Sequence, residues 1–107
     1  MINVTATFQV SPDRAPEFEA AVAEARPAML ADAGCLRYDL QRVGRSEVDF
    51  VLLEAYESGE ALRRHGELQA FRDLGDAIKS MVVAEPAVVI LRPIGDQTDL
   101  VARPELD

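Results

Sequence analysis

Three residues combine types that can move a proton with positions that would bring them together: Glu54, Tyr56 and His65. Glu54 lies inside the apolar run Phe50-Val51-Leu52-Leu53-Glu54-Ala55-Tyr56. Strand alternation puts it on one face with Leu52 and Tyr56. A carboxylate there is costly unless it is hydrogen-bonded or paired. Burial raises its pKa and makes it a proton acceptor or donor near neutral pH. The alternative is a structural carboxylate that accepts hydrogen bonds from a neighbouring strand, helix or dimer partner. His65, the only histidine, comes three residues after Leu62 and six before Phe71. That places it at the edge of a helical apolar stripe, close to the sheet. It reads either as a general base or donor to a substrate oxygen, or as a packed imidazole bonded to a carboxylate or carbonyl. Tyr38 and Tyr56 are the only tyrosines. They either fill the core with a satisfied hydroxyl or line a pocket for an aromatic substrate. Cys35 reads as a small buried hydrophobe.

The elements that must position these groups follow from periodicity. Residues 2 to 10 alternate, with Ile2, Val4, Ala6, Phe8 and Val10 on one face, which predicts a strand. Ser11-Pro12-Asp13 ends it and offers Ser11 or Asp13 as the cap of a helix reaching about Ala31. The helix stripe is Phe18, Val22, Ala25 and Met29. Pro27 is expected to kink that helix or break its last turn. Gly34 suits the turn out of it. A second strand runs from Cys35 to about Val43, with Leu36, Tyr38 and Leu40 on one face. Gly44-Arg45-Ser46-Glu47 turns the chain into a third strand, from about Val48 to Tyr56. Ser58 caps a helical region to about Val83, with Leu62, Leu68, Phe71, Leu74, Ile78 and Val82 as its apolar positions. Gly66 and Gly75 are expected to divide it into two or three pieces. Pro86 opens a fourth strand, Ala87 to Leu91, and Pro93 closes it. The domain is expected over residues 1–94, with an acidic tail over 95–107.

The order β-α-β-β-α-β is that of an α+β, ferredoxin-like fold: one four-stranded antiparallel sheet with both helices on one face. The third strand, however, is apolar on both faces, and the fourth shows no alternation. Helices cover only one face, so the other needs a second cover. In a chain this short the expected cover is a second copy, giving a homodimer of two stacked sheets, a dimeric α/β barrel. Outer-face positions of the Leu52 type are expected in that interface.

With 107 residues the chain makes one domain. The 19 acidic residues against 11 basic ones give a net charge of −8. That field repels phosphate backbones and anionic lipid surfaces, so neither nucleic acid nor a membrane is expected as partner. No apolar run approaches the ~18 residues a membrane helix needs. One cysteine and no export signal point to the cytoplasm. There is no Gly-x-Gly-x-x-Gly, P-loop or Gly-x-Ser-x-Gly sequence, so no nucleotide cradle and no nucleophile elbow is indicated. Nor does any His, Cys or carboxylate spacing suggest a metal. No cofactor is expected.

The stretch from Gly34 to Phe71 resembles the antibiotic-biosynthesis monooxygenases, a family of small dimeric α/β-barrel proteins that includes quinol monooxygenases. The likeness rests on two joined apolar strands that feed an amphipathic helix, with Glu54 and Tyr56 in the second strand and His65 following the Ala61-Leu62 pair. It spans about residues 2 to 94. The resemblance implies a cavity between helices and sheet, which Tyr56, Phe18, Phe71 and Leu74 would line as substrate-binding residues. It implies cofactor-independent oxidation of a small aromatic or quinol-like substrate by O2, with His65, Glu54 and Tyr38 as the catalytic set. Known members of this kind use a Trp and an Asn near the third strand; this chain has no Trp, and its only Asn is Asn3. Haem-degrading relatives ligate iron through a His late in the second helix, and Phe71 to Met81 contains none. A non-catalytic binding or stress-response module, or an isomerase working without oxygen, is the alternative.

Overall fold

A computed structural model of the chain describes residues 1–95. The elements are β1 (Ile2–Gln9), α1 (Ala15–Leu30), β2 (Cys35–Arg42), β3 (Asp49–Tyr56), α2 (Gly59–Glu67), α3 (Gln69–Ile78) and β4 (Ala87–Leu91). The strands form one antiparallel sheet in the order β2-β3-β1-β4. Three helices and this sheet make an α+β, ferredoxin-like fold, and the sheet of the single chain is not closed. From residue 96 on, the expected acidic tail lies outside the described residues.

Alternation in β1 does what it predicts. Val4, Ala6 and Phe8 are buried against the helices, and Val10 follows them. Phe18, Val22 and Met29 of α1 pack on that face, each at most 2% exposed. Burying a side chain such as Phe18 contributes about 1.5–3 kcal/mol. Neither Ser11 nor Asp13 caps α1: a single 3-10 turn, Pro12–Arg14, intervenes, and the Ser11 hydroxyl is spent on Asp13 at 2.8 Å. Nor does Pro27 break the last turn; α1 continues to Leu30. Met29, fully buried just beyond the proline, anchors that turn to the core.

In β2 the expected face is wrong at one end. A bulge between Cys35 and Arg37 sets two residues against one on β3. Cys35 and Tyr38 therefore both face inward, and Leu36 turns out, 52% exposed. The long helical region divides once, at Leu68, whose ψ of 140° is extended. Gly66 and Gly75 both stay inside helices, in α2 and α3. Ser58 caps α2 as expected, its hydroxyl accepting from the Ala61 N–H at 3.1 Å.

Strand β3 corrects the interface expectation. Phe50, Leu52, Glu54 and Tyr56 all face the helices, and Leu52 is 4% exposed. The outer face carries Val51, Leu53 and Ala55 instead. Leu52 pairs with Ala6 and Leu40, two inner-face residues, and this register fixes its direction. Every residue of β4 is exposed.

Candidate active site

Glu54 sits in the middle of the sheet's inner face. Register places it opposite Val4 of β1 on one side and Tyr38 of β2 on the other. The next rows are Ala6-Leu52-Leu40 and Ile2-Tyr56-Cys35. The carboxyl thus stands in an apolar floor, and it is 8% exposed. Its partner comes from its own strand: the Tyr56 hydroxyl donates to Glu54 Oε1. Two residues along a strand is the spacing that returns to the same face.

α2 brings His65 down onto this floor. The imidazole lies between Tyr38, Tyr56 and Phe71, with ring centroids at 5.7, 5.1 and 5.2 Å, and Phe71 meets it edge-on. His65 Nε2 is 3.7 Å from Glu54 Oε1, beyond a hydrogen bond. Nδ1 is buried without a hydrogen-bond partner. The ring is held by packing, not by bonds.

A clamp outside the floor fixes the helix. Asp32 accepts from Arg64 Nε and Nη2 at 3.0 and 3.1 Å and from the Gly34 N–H at 2.8 Å. These bonds hold its carboxyl at about 2, well below the usual carboxylate range; the Arg64 guanidinium is the main cause. A Cβ on Gly34 would come within 2.6 Å of Ala61 Cβ. Gly34 is therefore set by the close approach of α2 rather than by a left-handed backbone.

Burial dominates the electrostatics. It raises the Glu54 pKa, against the Tyr56 hydrogen bond, which lowers it. It lowers the His65 pKa, against the Asp32 charge, which raises it. Both groups are thus pushed toward their neutral forms. Burial also pushes both tyrosines upward, with the Glu54 charge acting in the same direction. They stay protonated as donors.

Glu54, His65 and Tyr38 share the wall of a cavity of about 300 Å³ between the sheet and α2/α3. Phe71 and Leu74 line it too. The structure does not bring all expected lining residues there. Phe18 is fully buried under α1, its ring 5.2 Å from Phe8 and 5.1 Å from Phe50. Tyr56 lies beneath the wall and reaches the site through Glu54. Sequence reasoning missed Asp32 and read Arg64 as a solvated charge or an anion contact rather than as its partner, although Asp-x-Gly after a helix is a turn signal that marks the loop. It treated Leu62 and Ile78 as core stripe; both also line the cavity. Among the described residues, no three His, Cys, Asp or Glu side chains converge in a way that could hold a metal ion, and no helix is long and apolar enough to cross a membrane.

The ferredoxin-like sheet thus carries an apolar, carboxyl-bearing cavity under α2 and α3. The sequence profile of the antibiotic biosynthesis monooxygenases matches residues 1–77, and the chain belongs to that family. A solved structure from Caulobacter crescentus CB15, named a "putative antibiotic biosynthesis monooxygenase", is 33% identical, with a TM-score of 0.82 over 87% of this chain and 89% of that one. The protein of the same name from Nitrosomonas europaea matches at a TM-score of 0.84 with 20% identity, covering 88% and 99%. That from Deinococcus radiodurans matches at 0.83 with 18% identity, covering 95% and 100%. These last two speak to the fold alone. No curated protein matches the chain.

Proposed function

We propose that this protein is a cofactor-independent monooxygenase that oxidises a small aromatic or quinol-like compound in the cavity between the sheet and α2/α3. The observation that carries the reading is a carboxyl and an imidazole 3.7 Å apart in an apolar wall. His65 takes the acidic proton of the substrate, and Glu54 stabilises the imidazolium that forms. The Tyr38 hydroxyl donates to the oxygen on which negative charge develops. The carbanion gives its electrons to O2, and the resulting peroxide loses water to leave a carbonyl. For an anthrone-type substrate, the ring CH2 group and O2 become C=O and H2O, so the substrate supplies all four electrons. The test is oxygen uptake by metal-free and flavin-free protein across a panel of anthrones and hydroquinones. Uptake above buffer with at least one compound is expected. No uptake across the panel, with binding retained, would favour the non-catalytic module.

The same reading makes the protein a cytoplasmic homodimer, with two open sheets stacked outer face to outer face. Val89 and Leu91 of β4 are 49% and 45% exposed, and Val51 and Leu53 of β3 stand on the same outer face, with Thr5 and Thr7 of β1 between the two groups. Patches of this kind mark interaction surfaces. Light scattering should give a particle of two chains. Leu53→Asp should shift it toward the single-chain 11.7 kDa, while Leu52→Asp should lower the melting temperature through the inner face. A single-chain mass for the unaltered protein would refute the assembly.

A further inference from the structure

We propose that Gly66 and Gly75 set the width of the cavity mouth and so select the size of the ligand, an inference that rests on the cavity being the ligand site. Both positions lie on the cavity side of their helices, at the margin of the apolar stripes. Gly66 follows Leu62 by four residues in α2, and Gly75 follows Phe71 by four in α3. A stripe position is where such a helix places a large apolar side chain. Within a helix, glycine is the least favourable residue after proline.

Nothing else among the described residues requires these two glycines. Among the described residues, the glycines with positive φ are Gly44 and Gly95. Beyond its chain neighbours and its own helix backbone, a Cβ at Gly66 or Gly75 would meet no heavy atom within 4 Å, unlike the crowded Gly34. Both glycines line the cavity, and both are exposed, which puts them at its rim. Two helices therefore carry their least suitable residues where side chains would narrow an opening. The walls, Leu62, Phe71, Leu74 and Ile78, favour an apolar body; the glycines set how broad that body can be.

The single histidine gives one set of imidazole C–H signals, a reporter inside the cavity. The full-length protein, Gly66→Leu, Gly75→Leu and the Gly66→Ala/Gly75→Ala pair are titrated with phenol, 2-naphthol and 2-hydroxyanthracene while the His65 signals are followed by NMR. The unaltered protein should bind all three. The leucine variants should keep phenol but weaken 2-naphthol by about tenfold or more, the order expected from added methylenes in an apolar pocket. The alanine pair should weaken 2-hydroxyanthracene and yet melt higher, by about 4 °C or more, because helix propensity improves. Leucine variants that bind 2-naphthol as the parent does overturn the inference alone. So does an alanine pair that melts below the parent, since the glycines would then serve packing. Should the parent's His65 signals stay fixed with all three probes, the ligand reading of the cavity falls, and this inference with it.

Discussion

The inner face of the sheet is covered twice, and the two halves differ. Under α1, Phe8, Phe18 and Phe50 stack at 5.1–5.2 Å, and the helix contributes Phe18 and Met29 at 0% exposure. Under α2 and α3, the same sheet face meets His65, Phe71 and two glycines, and a cavity remains. The floor is continuous across both halves: Leu52 and Glu54 follow Phe50 on one strand. What differs is the helix stripe. α1 fills every inward position with a side chain that has no polar atom to satisfy. α2 and α3 carry glycine at two cavity-lining positions and put an imidazole at a third. Stability and site are thus assigned to different helices over one sheet, and a buried carboxyl is tolerated on the hollow side because Tyr56 serves it.

The largest effect should separate the halves. Phe18→Ala should cost about 3–5 kcal/mol in denaturant unfolding, since the packed half has no room to collapse without loss. Phe71→Ala, at a residue 45% exposed, should cost about 1 kcal/mol or less and act on ligand affinity instead. Equal costs would erase the distinction. Next, His65→Gln should lower oxygen uptake by about 100-fold or more while the melting temperature stays close to that of the parent.

Glu54→Gln should do the reverse to stability. The folded carboxyl has a raised pKa, so the fold binds its proton more tightly than the unfolded chain does. Stability is therefore lost as pH rises from the ordinary 4.5 through the raised value. Glutamine escapes that loss. The variant should gain roughly 0.5–2 kcal/mol at pH 8, the range typical of relieving a strained site, and little at pH 4. Equal gains at both pH values would show that the carboxyl's ionisation is not the cause. The smallest effect concerns the clamp. Asp32→Asn removes the charge that raises the His65 pKa, so the imidazole should titrate at a lower pH than in the parent, as NMR would show.

Most of the fold was legible because it rests on periods of two and of three to four. The alternation of β1, the stripe of α1 and the Ser58 cap all hold. Leu36 escaped because a bulge depends on how two strands pair, which one strand's sequence does not carry. Leu68 escaped because the helix break there is made by backbone angles, while the two nearby glycines drew attention as breakers. Of the site, Glu54 and His65 were visible as polar residues in apolar surroundings. The Tyr56 bond to Glu54 was not, because alternation gives a shared face and not a distance. Phe18 was placed in the cavity through the family resemblance, yet α1 and α3 set their phenylalanine rings over different parts of one floor.

The central claim is that His65 stands in the hollow half as a neutral, buried base. Following its ring C–H signals by NMR from pH 4.5 to 8.5 tests this directly, because the chain has no other histidine. Burial predicts a midpoint below the ordinary 6.5. The folded ring then resists protonation, and stability is lost as pH falls through 6.5 toward that lower midpoint. A midpoint above 6.5 would mean that the imidazole is held as a cation against Glu54, and the proposed base would already carry its proton.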